Sequence, residues 1–233
     1  MKSLNKYLAG IVAAALAWVG LGGQALALDK FEADLKVKEA SVLVERFMTS
    51  PDHSAPRWLL KKAKAVVIIP NMVKAGFIVG GKFGRGVVSA RQADGSWSPP
   101  SFVTLAGANF GFQIGAEAVD LFMLIMQQRG LSGILKNQMK VGVDASVAAG
   151  PVGRTTEAAL SGASLNADIY SYSRSQGAYA GATLGGGGLE MDQEAIKVYY
   201  GQALTVEDVL FKGKAKPPAS AVELIKALTK FGK

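Results

Sequence analysis

Between Asn109 and Ala149 the chain alternates in a way that leaves little choice of fold. Asn109-Phe-Gly-Phe-Gln-Ile-Gly-Ala-Glu-Ala118 sets Phe110, Phe112, Ile114, Ala116 and Ala118 on one parity against Asn109, Gly111, Gln113, Gly115 and Glu117 on the other. Successive side chains of an extended backbone point to opposite faces, so this is a strand with one buried face. It runs on into Val119-Asp-Leu-Phe-Met-Leu-Ile-Met126, apolar enough for burial on both faces, where Asp120 needs a partner. Lys140 to Ala149 alternates again, with Val141, Val143, Ala145 and Val147 facing one way. The reading is a twisted, mostly antiparallel sheet whose small residues leave room for close backbone approach.

The flanking segments fit around that sheet. Phe31 to Met48 has the pattern of an amphipathic helix, with Phe31, Leu35, Val42, Leu43 and Phe47 apolar. Ser54 is placed to cap a second helix, with Pro56 in its first turn, running through Arg57 to Lys64. Ala65 to Ile69 reads as a buried strand closed by Pro70, and Ala75 to Ala90 as a long glycine-bent strand or one with a bulge. Asp94-Gly95 turns it back through Trp97. Gly130 to Asn137 predicts a short helical connection, and Val152 to Asn166 reads as helix or loop. Asp168 to Ser173 alternates around Tyr170 and Tyr172 and turns at Ser175-Gln-Gly177 into Ala178 to Leu184. Gly185 to Gly188 is a flexible corner. Met191 to Tyr200 and Val206 to Phe211 read as short helical or mixed pieces. Lys212 to Pro218 is a polar linker, after which Ser220-Ala-Val-Glu223 is a capping box opening a last helix. The predicted fold class is α+β: a curved, mostly antiparallel, glycine-rich sheet flanked by N-terminal helices and a C-terminal helix.

Residues 1–27 have the form of a secretory signal: Lys2 and Lys6, an apolar run from Leu8 to Leu21, and Ala25-Leu26-Ala27 as a cleavage site. The expectation is a periplasmic or secreted protein of bacterial type, with 28–233 as a single domain and a linker and helix from about residue 212. Several chemistries fail on inventory. There is no cysteine, and the only histidine is His53 in a Pro/Ser/Asp loop, so a zinc site has no second nitrogen or sulfur ligand and a Ser-His-Asp arrangement could only be built through His53, read as a solvated loop histidine. Asp120, Asp144 and Asp168 are isolated acids, read as structural carboxylates rather than an acid/base pair. Gly80-Gly-Lys-Phe-Gly-Arg-Gly86 lacks P-loop spacing and leads into strand-like residues. No catalytic residue, metal or cofactor is therefore assigned.

Charge is concentrated rather than spread. The full chain carries +8, and the interval from His53 to Ala93 holds Arg57, Lys61, Lys62, Lys64, Lys74, Lys82, Arg85 and Arg91 with no Asp or Glu. Beside Trp58, Leu59 and Leu60, such an interval suits an anionic membrane surface, where each lysine contributes on the order of 1 kcal/mol. The bland alternative is a solvated lysine face over core residues. Nucleic acid is disfavoured because aromatic residues are sparsely interleaved.

Four stretches then become informative together: Ala63 to Gly81, Gln113-Ile-Gly-Ala-Glu-Ala-Val-Asp120, Gly142 to Arg154, and Asp168-Ile-Tyr-Ser-Tyr-Ser-Arg-Ser-Gln-Gly177. In this order they closely resemble the SYLF lipid-binding domain family, over roughly residues 35 to 210. The resemblance implies a β-rich domain without enzymatic activity that binds phospholipid, phosphoinositides in eukaryotic members, some of which also bind and bundle actin. By that analogy the lipid-binding residues are Lys61, Lys62, Lys64, Lys74, Lys82 and Arg85, with Trp58 as the inserting aromatic group. The signal segment, and the lack of an SH3 or FYVE module after the domain, point to envelope anionic phospholipid as partner and away from actin. Rival readings are a cell-envelope protein-interaction or structural module, an outer-membrane barrel, and a lipid-acting enzyme. The barrel is disfavoured by the helices and the irregular strand spacing.

Overall fold

The structure, a computed structural model, describes residues 28–50, 57–136, 138–151, 167–175, 178–181 and 187–233. The signal segment, His53, Ser54, Pro56 and the stretch 152–166 lie outside these. Two very long strands dominate the fold. β1 (Ala65–Ala90) and β2 (Ser101–Ile125) run antiparallel over nearly their whole length. The Asp94-Gly95 turn joins them as expected, with Gly95 at φ 84° and Arg91 bridged to Trp97.

Pro70 does not close a strand. Ile69 pairs with Leu121 and Met72 with Val119, so Pro70 and Asn71 together face Asp120 in a bulge. A missing N–H suits a bulge as well as a strand end, which is why the local sequence signal is ambiguous. Asn71 takes φ 52°, a region that asparagine tolerates. Its N–H donates to Asp120 Oδ1 at 3.0 Å, which supplies the partner Asp120 required.

Beyond the bulge β1 curls over its own first half. A methyl group on Gly84 would stand 2.7 Å from Ile69 Cγ2 and 2.9 Å from Met72 Cβ, and one on Gly86 would overlap the Ile68 carbonyl oxygen. Close approach is the physical reason for these two glycines.

The other edge of β2 is shared. β7 (Gly188–Met191) pairs with Val103–Ala106, and β5 (Ile169–Ser175) with Val119–Ile125. β3 (Gln138–Lys140) extends β7, β4 (Val147–Ala149) lies parallel to β5, and β6 (Ala178–Gly181) antiparallel to it. Among the described residues the result is a seven-stranded, mostly antiparallel sheet with helices packed on it, the α+β class expected. Lys140 to Ala149 is not one strand, however. Gly142 takes φ 87°, the Val143 and Asp144 N–H groups bond back to the Lys140 carbonyl, and Val143 is 70% exposed. A tight turn can mimic period-two alternation.

Six helices complete the described chain: α1 (Lys30–Thr49), α2 (Arg57–Lys62), α3 (Gln128–Leu135), α4 (Gln193–Tyr200), α5 (Val206–Leu210) and α6 (Ala219–Gly232). α1 opens with a capping box between Asp29 and Glu32 and buries Ala33, Val37, Ala40, Leu43, Val44, Phe47 and Met48. Phe31, Leu35 and Val42, expected on the apolar side, are exposed. The side that carries the small Ala33 and Ala40 is the one packed against α6 and β1. α6 starts after Pro218 with no side-chain cap. The Ser220 hydroxyl instead donates to Asp34 Oδ1 at 2.6 Å and meets Tyr199 Oη at 2.7 Å, tying α6 to α1 and α4. Core residues run from Leu28 to Phe231, and Phe47 stacks on Phe122 at 5.3 Å. With Leu224, Leu228 and Phe231 buried, α6 is part of that core and not a detachable tail.

Candidate functional site

The candidate lipid-binding residues fall into separate places. α2 is held down by Leu59 and Leu60, both fully buried, and this fixes what its other side presents. Trp58 is half-buried against the core, and Lys62 Nζ sits 5.8 Å from the centre of its ring. Lys61, Lys62 and Lys64 are exposed. Lys61 and Lys62 also lie in the last turn, where cations complement the helix dipole. Lys61 and Lys64 take part in no ion pair among the described residues. The Lys64 backbone is fixed, its N–H donating to Ile125 O and its carbonyl accepting from Arg91 N, so the side chain projects from a rigid corner.

Sequence reasoning missed the contribution of the C-terminal helix to this pole. Arg57 stacks over Phe231 at 5.1 Å and Lys230 lies over the same ring at 4.9 Å. Lys230 also pairs with Glu45 at 3.2 Å. A groove next to them is lined by Arg91, Asp94, Trp97, Thr229 and Lys233. Nothing in the local sequence of α6 signals that its basic end returns to α2.

Arg91, counted in the basic interval, is structural. Its guanidinium donates to the carbonyls of Leu60 (2.8 Å), Gly95 (2.9 Å), Ala63 (3.1 Å) and Gly232 (3.4 Å), and lies 4.3 Å over the Trp97 ring. Burial pushes it below the usual arginine value. One side chain thus joins α2, the β1–β2 turn and the end of α6.

Lys74, Lys82 and Arg85 lie elsewhere. Lys74 pairs in register with Glu117, eight residues along β2 from the partner of Lys64, or about 25 Å of strand. Lys74 and Lys82 share the inner parity of the curled ribbon, and Lys82 is only 6% exposed. Burial first, and then the charge of Lys74, lowers the Lys82 pKa. Arg85 is on the outer parity, its guanidinium 5.8 Å over the Phe83 ring. Along that outer face Val73, Ala75, Phe83, Ala106, Ala116 and Ala118 are exposed.

The isolated acids have structural partners. Asp144 Oδ2 accepts from Lys140 N at 2.7 Å, and Asp168 Oδ2 accepts from the Ser146 N–H and hydroxyl, both at 2.8 Å. Among the described residues no cluster of histidine and acidic side chains has the makings of a metal site. No described helix is long and apolar enough to cross a membrane.

A family model described as Ysc84, Las17-binding protein actin regulator, matches residues 106–231. The chain is 35% identical over 202 residues to SH3 domain-containing YSC84-like protein 1 of Homo sapiens and of Mus musculus, covering 84% of this chain and 58% of each relative. It is 35% identical over 179 residues to Protein YSC84 of Saccharomyces cerevisiae, covering 76% of this chain and 38% of that one. The chain belongs to the Ysc84 family. This is the SYLF family that the four sequence stretches pointed to. No solved structure matches the chain. The chain spans about half the length of the curated relatives it matches. Those relatives are mammalian and yeast proteins, named for an SH3 domain or, in LAS seventeen-binding protein 3, for binding a partner. They overturn the expectation of a periplasmic or secreted protein of bacterial type, and with it the reason for setting actin aside. Their names describe binding and regulation, not a reaction.

Proposed function

We propose that this Ysc84-family chain, with 28–233 as one domain, is a non-enzymatic module that binds anionic phospholipid at a membrane surface. The contact is the pole formed by Trp58, Lys61, Lys62 and Lys64, extended by Arg57 and Lys230. The observation that carries the reading is that Lys61, Lys62 and Lys64 project into solvent from one rigid corner, next to a half-buried tryptophan. Lysines at that density attract an anionic surface, and an aromatic ring at the edge of the core supports shallow insertion.

The test is co-sedimentation with phosphatidylcholine vesicles containing phosphatidylserine, comparing the parent with a Lys61→Glu/Lys62→Glu/Lys64→Glu variant. Losing three charges at roughly 1 kcal/mol each predicts at least about a hundredfold loss of affinity with an unchanged unfolding midpoint. Unaltered vesicle binding by the variant would remove this pole from the account.

A second reading follows from the family description: a protein-interaction module that engages a Las17-like partner or actin. It predicts capture of Las17 or actin filaments by the triple variant as well as by the parent. Because α6 belongs to the core, deleting 212–233 would unfold the domain rather than test this reading.

A further inference from the structure

We infer that the inside of the curled β1–β2 ribbon holds a binding site for a phosphate group, built by Lys74 and Lys82. The two arms of β1 face each other in a regular way: Gly86 lies against Ile68 and Ile69, and Gly84 against Ile69 and Met72. Carried two residues farther out on each arm, the same spacing would bring Lys82 toward Lys74, whose charge acts on it. Both are on the inner parity, where Met72, Gly84 and Gly86 are buried.

The surroundings make Lys82 a built feature. Its cross-strand partner is Gly107, which has no side chain to occupy the space beside it. Gly187 lies over the stem, where a methyl group would stand 3.1 Å from Lys82 Cε and 3.6 Å from Nζ. The Lys74 charge reaches this ammonium group and opposes its protonation, so the facing arms bring together two cations, one of them largely removed from water. Glu117, the register partner of Lys74, is a carboxylate on this face. Two converging ammonium groups are compact point charges suited to a phosphate, whose oxygens accept from both and whose charge offsets their repulsion. A lipid headgroup and a free phosphate present the same chemistry. The lipid arm of this inference rests on the proposed membrane reading, and the phosphate arm does not.

The experiment uses the full chain and two probes. In the first arm, thermal unfolding is followed in inorganic phosphate and in sodium chloride of equal ionic strength. The expected result is a midpoint raised by about 5 °C at saturating phosphate for the parent, and no phosphate-specific shift for Lys82→Met. Methionine replaces a buried charge with an apolar chain of similar length, so this variant is expected to fold. Lys74→Gln, a solvent-side change, gives a second check with a reduced shift. Equal phosphate shifts in the parent and both variants overturn the site.

In the second arm, vesicles of phosphatidylcholine with and without phosphatidic acid are titrated. About tenfold weaker binding of Lys82→Met to the phosphatidic acid vesicles supports the headgroup as ligand. Unchanged vesicle binding combined with a lost phosphate shift supports a soluble phosphate instead. A parent that ignores all vesicles yet keeps the Lys82-dependent shift defeats the membrane reading and leaves this site standing.

Discussion

Gly86→Ala is expected to prevent native folding or to cost more than about 4 kcal/mol, the range reserved for steric conflicts that cannot relax. The added methyl would overlap the Ile68 carbonyl oxygen, with Ile69 Cα only 2.7 Å away, and both belong to backbone in a paired strand. Unlike a flexible side chain, that backbone cannot turn aside without opening β1 from β2. Gly81→Ala is the matched control on the same strand. Its methyl would find the Gly107 carbonyl oxygen at 3.9 Å, an ordinary contact, and loss of glycine's unfolded-state freedom predicts a gain of roughly 0.5 kcal/mol. Urea unfolding of the two variants separates close approach from a general intolerance of the strand. Equal midpoints for Gly86→Ala and the parent would mean that β1 does not fold back on itself.

Arg91→Ala is expected to cost roughly 3–5 kcal/mol, lowering the unfolding midpoint by about 10 °C. The loss has three parts. Four carbonyls, of Leu60, Ala63, Gly95 and Gly232, lose their cationic donor. The face of Trp97 loses its guanidinium cover at 4.3 Å. The end of α6 loses a cation next to its terminal carbonyls. Arg91→Lys keeps the charge but not the planar fork, so it recovers only part of the stability. Lys61→Ala, an exposed cation in the same interval, is expected to change the midpoint by less than about 0.5 kcal/mol. Comparable small effects for Arg91 and Lys61 would show that Arg91 does not join the three elements.

Much of the sheet was legible because its signals are local. Alternation around Phe110, the apolar run at Leu121 to Ile125 and the Asp94-Gly95 turn each depend on neighbours in sequence, and together they specify the β1–β2 ribbon. A local signal that serves two structures does not decide between them. Pro70 suits a bulge and a strand end equally, and Gly142 with Asp144 builds a turn inside an alternating run. The exposed side of α1 was illegible for a different reason. Ala33 and Ala40 carry little hydrophobic signal, yet the surroundings cover them and leave Phe31 exposed.

The candidate site divides in the same way. That the interval from Arg57 to Arg91 is basic can be counted from composition, whereas the role of each cation depends on long-range geometry. Lys61 and Lys64 face solvent, Lys82 is enclosed by the curl of β1, and Arg91 is consumed by four carbonyls. Lys230 reaches the same pole only because α6 packs back on α2, a contact across more than 160 residues of chain.

The most direct measurement of the central claim is binding of the full chain to phosphatidylcholine vesicles with and without phosphatidylserine as sodium chloride is raised. Attraction through exposed lysines predicts binding that requires the anionic lipid and weakens steadily as the Debye length contracts from about 10 Å toward 3 Å. Equal binding to neutral vesicles, unaffected by salt, would contradict the account.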